Sequence, residues 1–346
     1  MPVAPDLLLG IDIGNTVVKA VPFDPAGRQV ARHGVDGTTL KPAPGTVERP
    51  GAELWANTRA AIAGCLGDID PGRIAAVGLA GHGNGLYLLD RDGGPLLGIQ
   101  SLDGRAAALA AELDRTAGDR LKPICGQRPW PSQTPTLLVW IRTHRPELFS
   151  QAGTLCFAKD FTGFCLTGQR AGEVSDLSGA GLLRLPEATD DAELLSLYGL
   201  ADAMPILPRF CLPTEIAGQV TSAAAAATGL RAGTPVAAGY FDVVASALGS
   251  GAVGTGAASV VLGSWSINQV FDEVPSRDPG VFMVAALGPG RFANMDNCAT
   301  SAANLEWFVR TLFERDGHDG EAFARVNALV GRAAVAPGDP MFHPFL

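Results

Sequence analysis

The sequence predicts an α/β fold in two related halves that face a common cleft. Hydrophobic residues fill 47% of the 346 positions and charged residues only 18%, the balance of a soluble, core-rich chain rather than a disordered one. Short apolar runs ending in glycine alternate with stretches of helical spacing. One unit, strand, small polar turn, strand, occurs twice: GIDIGNTVVKA from Gly10 and VVLGSWSINQV from Val260. The length allows two domains with good cores, though one large domain would also fit.

The elements follow in order. Leu7, Leu8 and Leu9 lead into Gly10-Ile11-Asp12-Ile13, an apolar run that reads as a buried strand. Gly14-Asn15-Thr16 turns, residues 17–23 resume as a second strand, and Asp24-Pro25-Ala26-Gly27 turns again. After a proline-bearing loop at 44–50, residues 52–66 show helical spacing through Leu54, Trp55, Ala60, Ile62 and Leu66. Residues 74–79 read as a buried parallel strand that opens into Gly81-His82-Gly83-Asn84-Gly85, and 86–90 as another strand. Helical patterns follow at 104–115 and 134–144, a strand at 153–157 and a short helix at 160–166. Residues 205–213 read as a linker or crossover. Residues 233–241 form a strand that ends abruptly, and 242–248 a helix with Asp242 as its N-cap. The second strand–turn–strand runs from Ser259 to Phe271, residues 304–313 are helical, and Phe345-Leu346 looks like the start of a strand.

Composition and missing motifs remove several function classes. A net charge of −9 with no long run of like charges argues against nucleic acid or an anionic membrane as partner. The six cysteines (Cys65, Cys125, Cys156, Cys165, Cys211, Cys298) form no CxxC pair, which points to a reducing cytoplasm. MPVAPDLLLG lacks a basic n-region and a long apolar core, so no signal peptide is expected, and residues 223–230 are too few to span a bilayer. Gly249-Ser250-Gly251-Ala252-Val253-Gly254 has GxGxxG spacing but follows a helix, which contradicts a dinucleotide fold. No GxxxxGK[ST], GxSxG or HExxH is present.

Three places carry chemistry. The first corner, Asp12 to Thr16, offers turn N–H groups, a hydroxyl and a carboxylate, a set that can hold phosphate oxygens and a metal-bound water. An ordinary hairpin accounts for the same residues. Asp242 stands where a buried strand breaks into a helix, in a run with no other charge from Pro235 to Phe271. A carboxylate there suits a base that accepts a proton from an attacking hydroxyl, or a plain helix cap. Between glycines, His82 and Asn84 let the backbone approach a small polyol while the amide donates and accepts; a satisfied turn is the alternative.

In order, GIDIGNTVVKA, GLAGHGNGLYLLDRDGGPL with SLDGRA, KDFTGFCLTG with EVSD, GTPVAAGYFDVVASALGSGA and VVLGSWS resemble the FGGY family of carbohydrate kinases. The likeness is strongest to its L-xylulose kinase branch, through SLD-R, FDVVA-AL, NLEWF and GD-x-x-x-x-PFL. It covers essentially the whole chain. The resemblance implies a two-domain actin/hexokinase/Hsp70-type (ribonuclease H-like) fold closing over sugar and ATP. Residues 1–238 would form the domain with the sugar site and first phosphate loop; 239–346 would form an incomplete second domain with the catalytic Asp and second loop.

The resemblance also implies roles. Asp12 helps hold the Mg²⁺ shell. Gly14, Asn15 and Thr16, with Lys19, form the first phosphate corner, and Gly263 and Ser264 the second. Asp242 is the general base. Gly83, Asn84, Asp103 and Trp130 line the sugar site. Asn15-Thr16 replaces the family's usual hydroxyl pair, so one phosphate hydrogen bond would come from an amide. Members of the family run well past this chain's length, into a Gly-rich adenosine-binding segment. The implied activity is ATP-dependent phosphorylation of a primary hydroxyl on a ketopentose such as L- or D-xylulose, or on a polyol such as erythritol. A non-catalytic sugar-binding protein of degenerate kinase fold is the alternative, and a homodimer is an assembly the resemblance admits.

Overall fold

The computed structural model describes residues 5–67, 69–262, 266–298, 301–313, 321–334 and 336–339. The first sheet is built from β1 (Leu7–Ile13), β2 (Val17–Phe23), β3 (His33–Asp36) and β4 (Ile74–Gly81). Then come β5 (Leu86–Asp90), β6 (Pro95–Ile99) and β7 (Ala152–Cys156), which pair as a small sheet, and the short parallel pair β8 (Ala171–Glu173) and β9 (Arg209–Cys211). The chain returns to the first sheet with β10 (Ile216–Gln219), β11 (Pro235–Ala237) and β12 (Tyr240–Phe241). Its order is β10-β11-β4-β1-β2-β3, with β12 also on β4. A second sheet follows: β13 (Ala258–Leu262), β14 (Ser266–Asp272), β15 (Met283–Gly288) and β16 (Arg291–Cys298), ordered β13-β14-β16-β15.

The first strand is not buried on both faces as its apolar run suggests. It alternates: Leu7, Leu9, Ile11 and Ile13 enter the core beneath Leu54 and Ile62 of the helix Gly51–Leu66, while Leu8 is 56% exposed. Gly10 and Asp12 share that open face. Period-two geometry thus turns the carboxylate of Asp12 away from the oil and toward the cleft.

Register does the rest. β4 runs parallel beside β1 with Asp12 opposite Ala80 and Ile13 opposite Gly81; β12 runs parallel on the other side of β4 with Tyr240 opposite Ala80 and Phe241 opposite Gly81. Three strand ends therefore finish level, and the residues just beyond them are Gly14, His82 and Asp242. Two strand spacings, roughly 10 Å, separate the first from the last.

The expected single strand over 233–241 is two pieces, because Gly239 bends the chain at φ +86 and a Cβ there would stand 1.9 Å from the Leu79 carbonyl oxygen. Only glycine permits that approach. The expected domain boundary at 238/239 falls inside this sheet, since Tyr240–Phe241 still pairs with β4 and the second sheet begins at Ala258. The helix read at 104–115 runs from Ala107 to Cys125, through Gly118 and Pro123. Burial of Ala117, Leu121 and Cys125 in a core shared with Leu86, Leu137 and Leu155 outweighs those two breakers. Phe345 and Leu346 lie outside the described residues. Among the described residues no helix is long and apolar enough to cross a membrane, and no cysteine is in a disulfide.

Candidate active site

The first corner is held from behind. Arg49 Nη1 donates to the Gly14 carbonyl at 3.3 Å, Gln100 Nε2 to that of Asn15 at 2.5 Å, and the Gly37 N–H to that of Thr16 at 2.6 Å. With three successive carbonyls fixed by donors in the protein body, the turn's electropositive side is the one left for an anion. Gly14 is needed for the tightness of the turn: a Cβ would sit 2.9 Å from the Val17 oxygen. The Asn15 amide nitrogen already has a partner in the protein, because its Nδ2 donates to Ser101 Oγ at 3.0 Å. Lys19 is the cross-strand partner of Asp12, and the two form an ion pair at 2.9 Å with each side chain more than a third exposed.

Asp242 opens the helix Asp242–Gly249 as its first helical residue; Phe241 holds the cap position, and no side chain caps this end. The N-cap expectation is thus off by one residue, which frees the carboxylate from capping duty. It is partly buried, and its pKa is pushed up to about 7. Burial is the main cause, followed by the charge of Asp12; the Val243 N–H and Lys19 pull the other way. The influence of Asp12 and Lys19 on Asp242 is the electrostatic trace of the strand-end alignment, which brings this carboxylate near the first corner. Asp12→Asn is accordingly expected to shift the acid limb of the kcat/KM–pH profile to lower pH, read by assays across pH 5–9.

The loop after β4 forms the adjoining wall. The His82 N–H donates to Ile13 O at 3.1 Å, and burial lowers its imidazole to about 4, so the ring is neutral at physiological pH. Asn84 is 2% exposed at φ +59, donates Nδ2 to Gly179 O at 3.3 Å, and keeps Oδ1 buried with no partner. Gly83 leaves room for neighbours, since a Cβ would meet the Phe241 ring at 2.5 Å and Asp176 Oδ1 at 2.9 Å. The segment carrying Trp130 is pinned to this loop by Gly85 N–H to Ser132 O, 3.0 Å, and by Thr134 Oγ1 to Gly85 O, 2.8 Å. Trp130 packs on Phe282 in the same apolar cluster as Phe241, and its Nε1 is buried without a partner. A donor on Trp130, an acceptor on Asn84 and an imidazole nitrogen on His82 are thus left for something polar.

Asp103 has a different post. Its Oδ1 accepts from Arg105 N and Nε at 2.9 Å, and its Oδ2 from Val47 N at 2.6 Å and Arg105 Nη2 at 2.9 Å. Four donors occupy the four lone-pair sites of a carboxylate, leaving none for a sugar hydroxyl. Asp103 braces the wall rather than lining it. Gly263 and Ser264, the expected second corner, lie outside the described residues; the strands on either side pair up to Leu262–Ser266.

Sequence reasoning passed over the residues packed behind Phe241, the neighbour of Asp242. Lys159, Asp160, Glu173 and Asp176 form a buried charged cluster, and the Ser175 hydroxyl accepts a hydrogen bond from the Phe241 N–H at 3.1 Å. The available signal was a lysine and three acids in otherwise apolar segments, FAKDF and EVSDL.

Residues 7–249 match the N-terminal domain of the FGGY family of carbohydrate kinases. The chain is 32% identical to an L-xylulose/3-keto-L-gulonate kinase of Escherichia coli over 98% of its own length and 68% of that protein's. It is 29% identical to an erythritol kinase of Brucella abortus over 99% of its length and 68% of the relative's. The crystal structure of a xylulose kinase from Rhodospirillum rubrum superposes with a TM-score of 0.86 at 27% identity, covering 95% of this chain and 68% of that one. With its actin/hexokinase-like fold, the chain belongs to the FGGY family of carbohydrate kinases.

Proposed function

We propose that this chain transfers the γ-phosphoryl group of ATP to a primary hydroxyl of a neutral ketopentose, L-xylulose first, with D-xylulose and erythritol as further acceptors. The observation that carries the reading is the level ending of three strands, which sets Asp242 across β4 from Asp12 and Lys19 and beside His82–Gly83–Asn84. In this reading the first sheet and the loops at its strand ends supply the sugar wall, the first phosphate corner and the base, all within residues 7–249. The relatives named for L-xylulose and erythritol point to the substrate class. The wall favours neutral acceptors: His82 is uncharged, and Asn84 and Trp130 offer an amide oxygen and an indole N–H, partners for hydroxyls rather than for a sugar carboxylate.

Asp242 accepts the sugar proton as the hydroxyl oxygen attacks the γ-phosphorus, so no alkoxide need form before the new P–O bond. The Gly14–Thr16 corner and Lys19 hold phosphate oxygens and orient them in line. Burial of the sugar wall keeps water from competing as acceptor. Asp12 suits a magnesium ion that arrives with ATP: it is a single, partly exposed carboxylate ion-paired to Lys19, and Mg²⁺ keeps waters and phosphate oxygens as its other ligands. When bound, the ion neutralises charge on the phosphates. Gly263 and Ser264 would serve as the second corner.

The test is ADP release over a panel of L-xylulose, D-xylulose, erythritol and 3-keto-L-gulonate. Sugar-dependent turnover strongest with the neutral acceptors is expected. Hydrolysis indifferent to every sugar, or sugar binding by calorimetry with no ADP formed, would overturn the reading.

A further inference from the structure

We propose that Ser175, its hydroxyl aimed by Glu173, is a positioning residue for Asp242: it grips the peptide N–H of Phe241 and so fixes where the base sits in the cleft. The proposal rests on the reading of Asp242 as the base.

The helix Asp242–Gly249 has no side-chain cap, so something else must set the attitude of its first residue. β12 is only two residues long, a short lever on β4. At its last residue, where the chain leaves the sheet, the Phe241 N–H donates to Ser175 Oγ at 3.1 Å. A serine hydroxyl accepts well only if its own proton points elsewhere. Here it does: Ser175 Oγ donates to Glu173 Oε2 at 2.6 Å, and Glu173 Oε1 also accepts the Ser175 N–H at 2.5 Å. Glu173 and Ser175 are both fully buried, so no water offers an alternative rotor state.

Glu173 is in turn held. Lys159 Nζ stands 3.6 Å from Glu173 Oε2, 2.8 Å from Asp176 Oδ2 and 2.6 Å from Asp160 Oδ1. That lysine packs at the end of β4, where a Cβ on Gly81 would come within 2.9 Å of its Cβ. The same short helix that carries Ser175 (Val174–Gly179) puts Asp176 against Gly83 and Gly179 O under the Asn84 amide. One buried element therefore touches both the sugar loop and the base's anchor. Apart from Ser175, the helix that begins at Asp242 is tied to the second sheet through Gln269 Nε2 to Val243 O, 2.7 Å. A misplacement of the base by an ångström is enough to cost orders of magnitude in rate.

The experiment compares Ser175→Ala, Ser175→Thr and Asp242→Asn with wild type in sugar-dependent ADP release, alongside amide exchange at Phe241 by NMR. Ser175→Ala is expected to lower kcat about 30-fold with sugar KM within about threefold, and to speed Phe241 exchange at least about tenfold. Ser175→Thr, which keeps the hydroxyl, is expected to restore both. Wild-type kcat in Ser175→Ala, unchanged Phe241 exchange, or no rescue by threonine overturns the proposal. Should Ser175→Ala fail to fold, Ser175→Cys carries the same test, since a thiol of similar size is a poor acceptor. An active Asp242→Asn would sink the base reading instead, while Phe241 exchange would still report on the anchor.

Discussion

Asp242→Asn is expected to lower kcat for sugar phosphorylation by about a thousandfold while the KM for sugar stays within about threefold, and at the same time to make the protein more stable at pH 8. The first effect follows from removing the proton acceptor without altering shape: asparagine fills the same volume but cannot take the hydroxyl's proton. The second follows from the carboxyl's displacement, from 3.8 in the unfolded chain to about 7 in the fold. Between those values the folded chain holds a proton that the unfolded chain has released. Stability therefore falls as pH rises from about 4 to about 7, and stays lowered above that range. The full displacement is discounted because the group is only partly buried, which leaves a penalty on the order of 2 kcal/mol at pH 8 that the amide does not carry. Urea midpoints of the two proteins should coincide near pH 4 and diverge upward for the variant at pH 8. A variant less stable than wild type at pH 8, or one that still turns over, contradicts the assignment.

Such a coupling of rate and instability is what the proposed role of Asp242 entails, and the sequence shows only part of it. The helix at Thr134–His144 and the hairpin from Leu7 to Phe23 were legible because their periodicity and turn residues are local properties. The alternation of β1 was harder to see. Leu8 is exposed although it looks like a core residue, because pleat geometry and not hydropathy decides its face. Asp242 could be singled out as a lone acid in an apolar run. That Asp12 raises its pKa could not, since the two stand 230 positions apart in the chain and meet only through the register of β4 with its two neighbours. Asp103 misled for the same reason: in sequence it is an acid beside the sugar loop, and in space it is saturated by Arg105 and Val47. The helix Val174–Gly179 was invisible. All six of its residues are buried, so no polar face marks its period.

Lys159→Met is expected to destabilise the fold by about 4 kcal/mol at pH 8. Among the described residues, Lys159 is the cation that meets three carboxylates in a cluster where every member is buried, and all three acids are displaced upward, first by burial, with Glu173 at about 7. Lys159 itself is shifted up by Asp160, Asp176 and Glu173 against the opposing cost of burial, so it stays charged. Methionine of similar length would fill the space but leave the carboxylates facing one another in a dry interior. Their only relief would be to bind protons. The pH dependence thus has a definite sign: acids whose folded values lie above their unfolded ones cost least at low pH, and the cost grows as pH rises through the folded values. The deficit of Lys159→Met against wild type should therefore shrink toward pH 5 and widen toward pH 8 in urea titrations. A deficit that is flat with pH would mean that lost packing, not unpaired charge, is what the lysine prevents. Lys159→Arg separates the two further: it keeps the charge but adds bulk beside Gly81, so it should retain the pH dependence of wild type while lowering the midpoint at every pH.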